Sequence, residues 1–175
     1  MNVTENLMVE HQLILRFLGN MNKILSQAEK SGDVAWLGQR IDRCVDFIQN
    51  FADHVHHGKE ENILFEYLKR PEVLSHCSPI GQMLHEHDLG RDFVKGLIEA
   101  RKKNDLKGMI TNARGYEGLL FQHIMKEDNI LYPMAEEGLS EELKTTIQNA
   151  YAAFEQKVDG NAMRKRYLDL CEGLV

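Results

Sequence analysis

Two tracts of the 175-residue chain repeat one another: His56-His57-Gly58-Lys59-Glu60-Glu61-Asn62-Ile63-Leu64-Phe65 and His123-Ile124-Met125-Lys126-Glu127-Asp128-Asn129-Ile130-Leu131-Tyr132. Both read His-x-x-Lys-Glu-acid-Asn-Ile-Leu-aromatic without a gap. On a helix, residues four apart lie one above the other, so each tract aims an imidazole and a carboxylate at one point. His11 and His87 fall on the apolar stripes of two further helical segments and add imidazoles from two more directions. Burying four imidazoles and two carboxylates without partners would be strongly unfavourable, and a metal is the partner that uses them all. Calcium and magnesium favour all-oxygen shells, and a single zinc ion leaves ligands over. Mixed imidazole and carboxylate donors suit a pair of iron ions; dimanganese or mixed-metal occupancy fits the same donor types.

The first tract has two readings. Carrying the stripe of Val45, Ile48 and Ala52 forward at about 3.6 residues per turn brings His56, Glu60 and Ile63 to the core-facing line. His57 and Glu61 then fall about 100° further round, on a solvated face, as the competing register. His54 and His57 read as outer hydrogen-bonding groups or surface residues, and Asp88 and Asp128 as outer partners of ligand imidazoles. Of Tyr67, Tyr116 and Tyr132, Tyr116 ranks first as a hydroxyl near the metals, because it precedes His123 by seven residues on one stripe. Met8, Met21, Met83, Met125 and Met134 read as core filling. His76 reads as a loop residue, and nothing in the sequence around Cys77 lowers its pKa.

Helices must carry these groups. Leu7, Met8, His11, Ile14, Leu15, Leu18, Met21, Asn22 and Leu25 follow i, i+3, i+4 spacing until Ser31-Gly32-Asp33. A second helix is predicted from about Val34 to Lys69, stopped by Arg70-Pro71, and a third from Pro79 to about Lys102. The fourth runs from about Asp105 to Glu136 with Ile130, Leu131 and Met134 on its stripe, and Pro133 predicts a kink or an earlier end. Four long helices with short connections make an up-down bundle over residues 1–137. Residues 138–175 read as an extension of one or two helices on the same domain, broken near Asp159-Gly160-Asn161, that covers the bundle or makes a homodimer contact.

Composition narrows the function. Lys and Arg number 21 against 27 Asp and Glu, a net charge of −6 that argues against nucleic acid. No apolar run reaches the ~18 residues of a membrane span, and Met1-Asn2-Val3-Thr4-Glu5 lacks the basic and apolar regions of an export signal. Cys44, Cys77 and Cys171 form no CxxC pair, which fits reduced thiols in a cytoplasm.

Ferritin-like bundles use Glu-x-x-His, whereas the order here is His-x-x-x-Glu and histidine predominates. Through His11, HHGKEENILF, Glu86-His87-Asp88 and HIMKEDNILYP, about residues 5–137 resemble the hemerythrin-like family, the HHE cation-binding domain. The resemblance implies that His11, His56, Glu60, His87, His123 and Glu127 hold two irons, with the glutamates bridging. Oxygen carriers of the family have a second histidine one turn before the helix-three ligand, where this chain has Met83, and their helix-four acid follows its histidine by five residues rather than four. The resemblance therefore leans to the branch linked to iron-centre repair and nitric oxide response and to uncharacterised bacterial members, with an open coordination position. It implies binding or sensing of dioxygen, nitric oxide or peroxide; the alternatives are an iron donor in repair, or a di-iron oxidase or peroxidase.

Overall fold

The computed structural model describes residues 2–74 and 78–175, so His76 and Cys77 lie outside it. Among the described residues the chain is helical, with no strand. Helix α1 spans Glu5–Ser31 and ends where Gly32, at φ 68°, donates its N–H to the Ala28 carbonyl. Helix α2 occupies 34–68: Asp33 caps it by accepting from Trp36 N, and its α-helical start Val34–Phe47 passes into π-helical Ile48–His57 and Glu60–Leu64 before Phe65–Leu68. Helix α3 is Ile80–Lys102.

Helix α4 occupies 106–138. Asp105 caps it through Gly108 N, where a Cβ on Gly108 would lie 2.4 Å from the Asp105 carboxylate, so that tight cap requires glycine. It too widens into a π-turn, Glu127–Leu131, and then resumes as Tyr132–Gly138. Pro133 therefore neither ends nor breaks the rod: it sits in the first turn of the resumed α segment, where its missing N–H is tolerated. Two further helices follow, α5 (Glu141–Val158) and α6 (Gly160–Glu172), with Asp159 in the left-handed region at the junction and its side chain accepting from Ala162 N.

The apolar core is split. One cluster includes Ile14, Phe17, Phe47, Phe51, Val94 and Leu120, with Tyr167 and Cys171 of α6 packed in. The other includes Leu7, Ile63, Leu64, Met83, Leu131 and Tyr132, with Ile147 and Tyr151 of α5. Each of the four long helices crosses from one cluster to the other, and the histidines sit at the crossing: His11 lies between Leu7 and Ile14, and His87 between Met83 and Val94. A polar layer is thus walled off from water by apolar packing above and below. Met8 and Asn22, expected on the stripe of α1, are exposed. No helix among the described residues is long and apolar enough to cross a membrane.

Candidate metal centre

The π-turns set the geometry of the site. A π-turn bonds i to i+5 in place of i+4, so the chain gains a residue per turn and the stripe beyond it rotates. In α4 the rotation exposes Ile130, at 53%, and buries Leu131, at 1%, reversing the expectation for Ile130. In α2 the same widening brings neighbours inward together: His56 and His57 are both buried, His57 with only 5% of its surface exposed. The solvated reading of His57 is therefore corrected. Extrapolation at 3.6 residues per turn fails because the helix there is not α. The two tracts adopt matching π-turns, each starting at its inward glutamate, with Phe65 N donating to Glu60 O and Tyr132 N to Glu127 O. Asn62 and Asn129 give those turns an extra donor, each through its side chain to the carbonyl four residues earlier, Gly58 O and Met125 O.

All six residues singled out by sequence, joined by His57, meet in the polar layer as two overlapping groups. His11, His56, Glu60 and Glu127 form one; His57, Glu60, His87 and His123 form the other, with candidate ligand atoms inside each group lying within 4.8 Å of one another. Both carboxylates reach both groups. Glu127 places Oε2 3.3 Å from His11 Nε2 and Oε1 3.2 Å from His123 Nε2, and Glu60 Oε2 is 3.7 Å from His56 Nε2 and 3.6 Å from His87 Nε2. A fifth imidazole, His57, enters the layer beside His87, their rings stacked with centroids 3.9 Å apart, while Met83 packs in the apolar cluster.

Every imidazole of the layer is held from outside by a carboxylate on Nδ1. The pairs are His11 with Asp128 (2.7 Å), His56 with Glu10 (3.1 Å), His57 with Asp53 (3.4 Å), His87 with Glu61 (2.6 Å) and His123 with Glu86 (2.8 Å). A charged carboxylate only accepts, so each Nδ1 bears a proton and each Nε2 faces inward, where it can ligate a cation once unprotonated. Asp128 was legible as such a partner; Glu10, Asp53, Glu61 and Glu86 were not. Asp88, offered for the same role, instead accepts from Arg91 at the surface, and that guanidinium also binds Asp53 and Glu61. A signal existed in the Glu-His pairs Glu10-His11 and Glu86-His87, on the two helices that lack the long tract.

The hydroxyl bonded to the layer is that of Tyr132; Tyr116 lines a cavity with His57, His87 and His123, but its hydroxyl bonds to none of them. Tyr132 donates to Glu60 Oε1 at 2.6 Å and lies 3.4 Å from His11 Nε2, its ring stacked on His11. Tyr67 lies elsewhere, under the Arg70 guanidinium. His54 and His85 are exposed.

The electrostatics fit a site built for cations. Burial pushes Glu60 well up, helped by the neighbouring Glu127 charge; burial acts on Glu127 the same way, but the His123 and His11 rings outweigh it and hold that carboxylate well down. Burial lowers His11, yet Asp128 and Glu127 carry it up to about 9, whereas burial holds His56 and His57 well below the ordinary imidazole value. His56 Nε2, His57 Nε2, Glu60 Oε2 and both Glu127 oxygens are buried without a hydrogen-bond partner. Five orphaned donor atoms converging from α2 and α4 would be strongly destabilising left alone, and nitrogen and carboxylate oxygen are the donors that transition ions accept.

The chain was compared with known families and proteins. No curated protein matches it, and no solved structure does. The family model of the hemerythrin HHE cation-binding domain matches residues 2–135, the four long helices that carry every residue of the two groups. The chain belongs to the hemerythrin HHE cation-binding family.

Proposed function

We propose that the protein holds a di-iron centre and uses it to bind or sense a small ligand such as dioxygen, nitric oxide or peroxide. In this reading His11 and His56 would hold one ion and His57, His87 and His123 the other, with Glu60 and Glu127 within reach of both groups. The observation that carries the proposal is the sharing of Glu60 between two four-residue groups, with Glu127 reaching both from the opposite side. An iron pair there supplies the redox and ligand-binding chemistry that the side chains lack.

The chain's own part is to hold and to exclude. Five carboxylates fix the imidazoles, apolar clusters close the layer at both ends, and the Tyr132 hydroxyl stands beside the end with two imidazoles, its one proton given to Glu60 Oε1. This rigidity favours retention of the metal over donation to an acceptor, so binding or sensing stands ahead of iron donation. The family's oxygen and nitric oxide ligands enter as part of this proposal, as does a place in the cytoplasm.

Metal analysis on anaerobically purified protein tests the reading, with close to two irons per chain expected and a marked loss in His56→Ala and Glu127→Ala. Titration of the reduced protein with oxygen or nitric oxide is then expected to give a stable, reversible optical band. Protein free of metal after iron-supplemented expression would end the proposal; rapid catalytic consumption of oxygen would replace it with an oxidase.

A further inference from the structure

A cavity of about 210 Å³ opens between α2, α3 and α4 on the side of the layer that carries three imidazoles. His57, His87 and His123 form its inner wall, and Val94, Leu119 and Leu120 are among the apolar side chains that make up most of the rest. A diatomic ligand needs no such room. The space exceeds the ~150 Å³ of an apolar cavity that accommodates benzene, and is several times the ~30 Å³ share of one water.

Two buried polar atoms of the wall residues lack a hydrogen-bond partner, His57 Nε2, which belongs to the polar layer, and the Tyr116 hydroxyl. The Tyr116 hydroxyl is buried without a hydrogen-bond partner, and burial pushes its phenol far up, so it stays protonated and is a donor. The charged groups of the wall are all engaged: Arg91 with Asp53, Glu61 and Asp88; Asp53 also with His57; Glu86 with His123, Lys126 and Gln82; Lys95 with Asp92. A guest therefore meets apolar surface, imidazole faces, one buried O–H donor and, at the exposed rim, the Gln49 amide, with every charged side chain of the wall already paired.

We propose that this cavity binds a neutral, mostly apolar ring compound carrying one carbonyl-type acceptor, with the acceptor on the Tyr116 hydroxyl and the body of the molecule against the His57, His87 and His123 wall. This extends the di-iron reading by giving the three-imidazole end an organic ligand, but binding itself needs only the cavity and Tyr116.

Acetophenone and ethylbenzene serve as probes, nearly equal in shape and differing in the acceptor. Each is titrated into full-length protein, metal-free and iron-loaded, with affinities read from amide chemical-shift changes. Acetophenone is expected to bind with shifts confined to residues around Gly90, Val94 and Tyr116. The ratio of its affinity to that of ethylbenzene should fall about five- to tenfold in Tyr116→Phe, the worth of one hydrogen bond.

Gly90→Ala supplies a second variant: its methyl would sit 3.6 Å from the Tyr116 ring and 3.9 Å from Leu119, ordinary contacts that leave the helix intact while narrowing the cavity. Both probes should weaken in it. No binding, shifts elsewhere, or a ratio unmoved by Tyr116→Phe would overturn the proposal. Iron content of the same preparation reports separately on the metal centre, so either reading can fail without the other.

Discussion

Lys59 and Lys126 hold equivalent places in the two halves of the bundle. Each donates to the carboxylate that accepts from Nδ1 of the histidine three residues before it: Lys59 to Glu10, the partner of His56, and Lys126 to Glu86, the partner of His123. The next acid along each tract completes the pattern by holding the histidine of another helix, Glu61 on His87 and Asp128 on His11. The motif His-x-x-Lys-Glu-acid thus encodes an inward imidazole, a clamp on its outer carboxylate, an inward carboxylate, and a clamp on a neighbour's imidazole. Each Glu-His pair on α1 and α3 receives both clamps. Two of the four differences between the tracts matter most at the layer: His57 stands where the second tract has Ile124, and Tyr132 stands where the first has Phe65, while Phe65 and Tyr132 each stack on the histidine their tract holds.

The two lysines differ in surroundings, and stability should follow. Lys59 is 1% exposed and is capped from α5 by Glu155, whereas Lys126 is 37% exposed. Lys59→Met strands the buried Glu10 carboxylate and is expected to cost about 3–5 kcal/mol. Lys126→Met removes a partly exposed ammonium and leaves the buried Glu86 carboxylate with Gln82 and His123 as partners, so it should cost less than Lys59→Met. Urea unfolding of the metal-free variants measures both; equal losses would contradict this account of burial.

What the sequence made legible depended on helix type. Where the helices are α, apolar periodicity located them, and His11, His87 and His123 appeared on their stripes. Where the turns are π, the same arithmetic misplaced His57 and Ile130, because no single-residue propensity marks an i to i+5 turn. The tract alignment still identified His56 with Glu60 and His123 with Glu127, since both tracts widen alike. The outer carboxylates were hidden for another reason: Glu10, Asp53, Glu61 and Glu86 meet their imidazoles across helices or on a widened turn, where surface charge and buried partner read the same along the chain.

His57 therefore gives a sharp metal-binding prediction. His57→Ala removes one of three imidazoles at its end and none from the His11 and His56 end. It is expected to hold about one iron per chain against the two proposed for the parent, and the fold should persist in far-ultraviolet circular dichroism. Retention of both irons at parental affinity would return His57 to a packing role.

Arg91 acts on the same end without touching it. Its guanidinium binds Asp53 and Glu61, the carboxylates on His57 and His87. Arg91→Met frees both and is expected to weaken metal binding about 10- to 100-fold, the usual effect of losing an outer partner. Asp88→Ala removes only an exposed partner of Arg91 and should leave affinity unchanged. Competition with a chromogenic chelator reads the two variants side by side.

The pH dependence of the metal-free protein follows from the same imidazoles. His11 and His123 are raised despite burial, because carboxylates surround them; His11 reaches about 9. A raised histidine contributes stability that is complete below its unfolded value of 6.5 and is lost as pH rises through the folded value. His56 and His57 are held down by burial, so their contribution is complete above 6.5 and is lost as pH falls. Glu60, raised by burial and by Glu127, adds to the alkaline loss; Glu127, lowered by His123 and His11 against burial, adds to the acid loss. The melting temperature of the metal-free protein should therefore peak near pH 6.5 and fall on both sides. In the proposed di-iron reading a bound metal would take the place of the site's protons and release them, so the loaded protein should lose the decline between pH 6.5 and 9. Melting curves of the two forms across that range decide it, and an alkaline decline that survives loading would mean that the metal does not bind through His11 and His123.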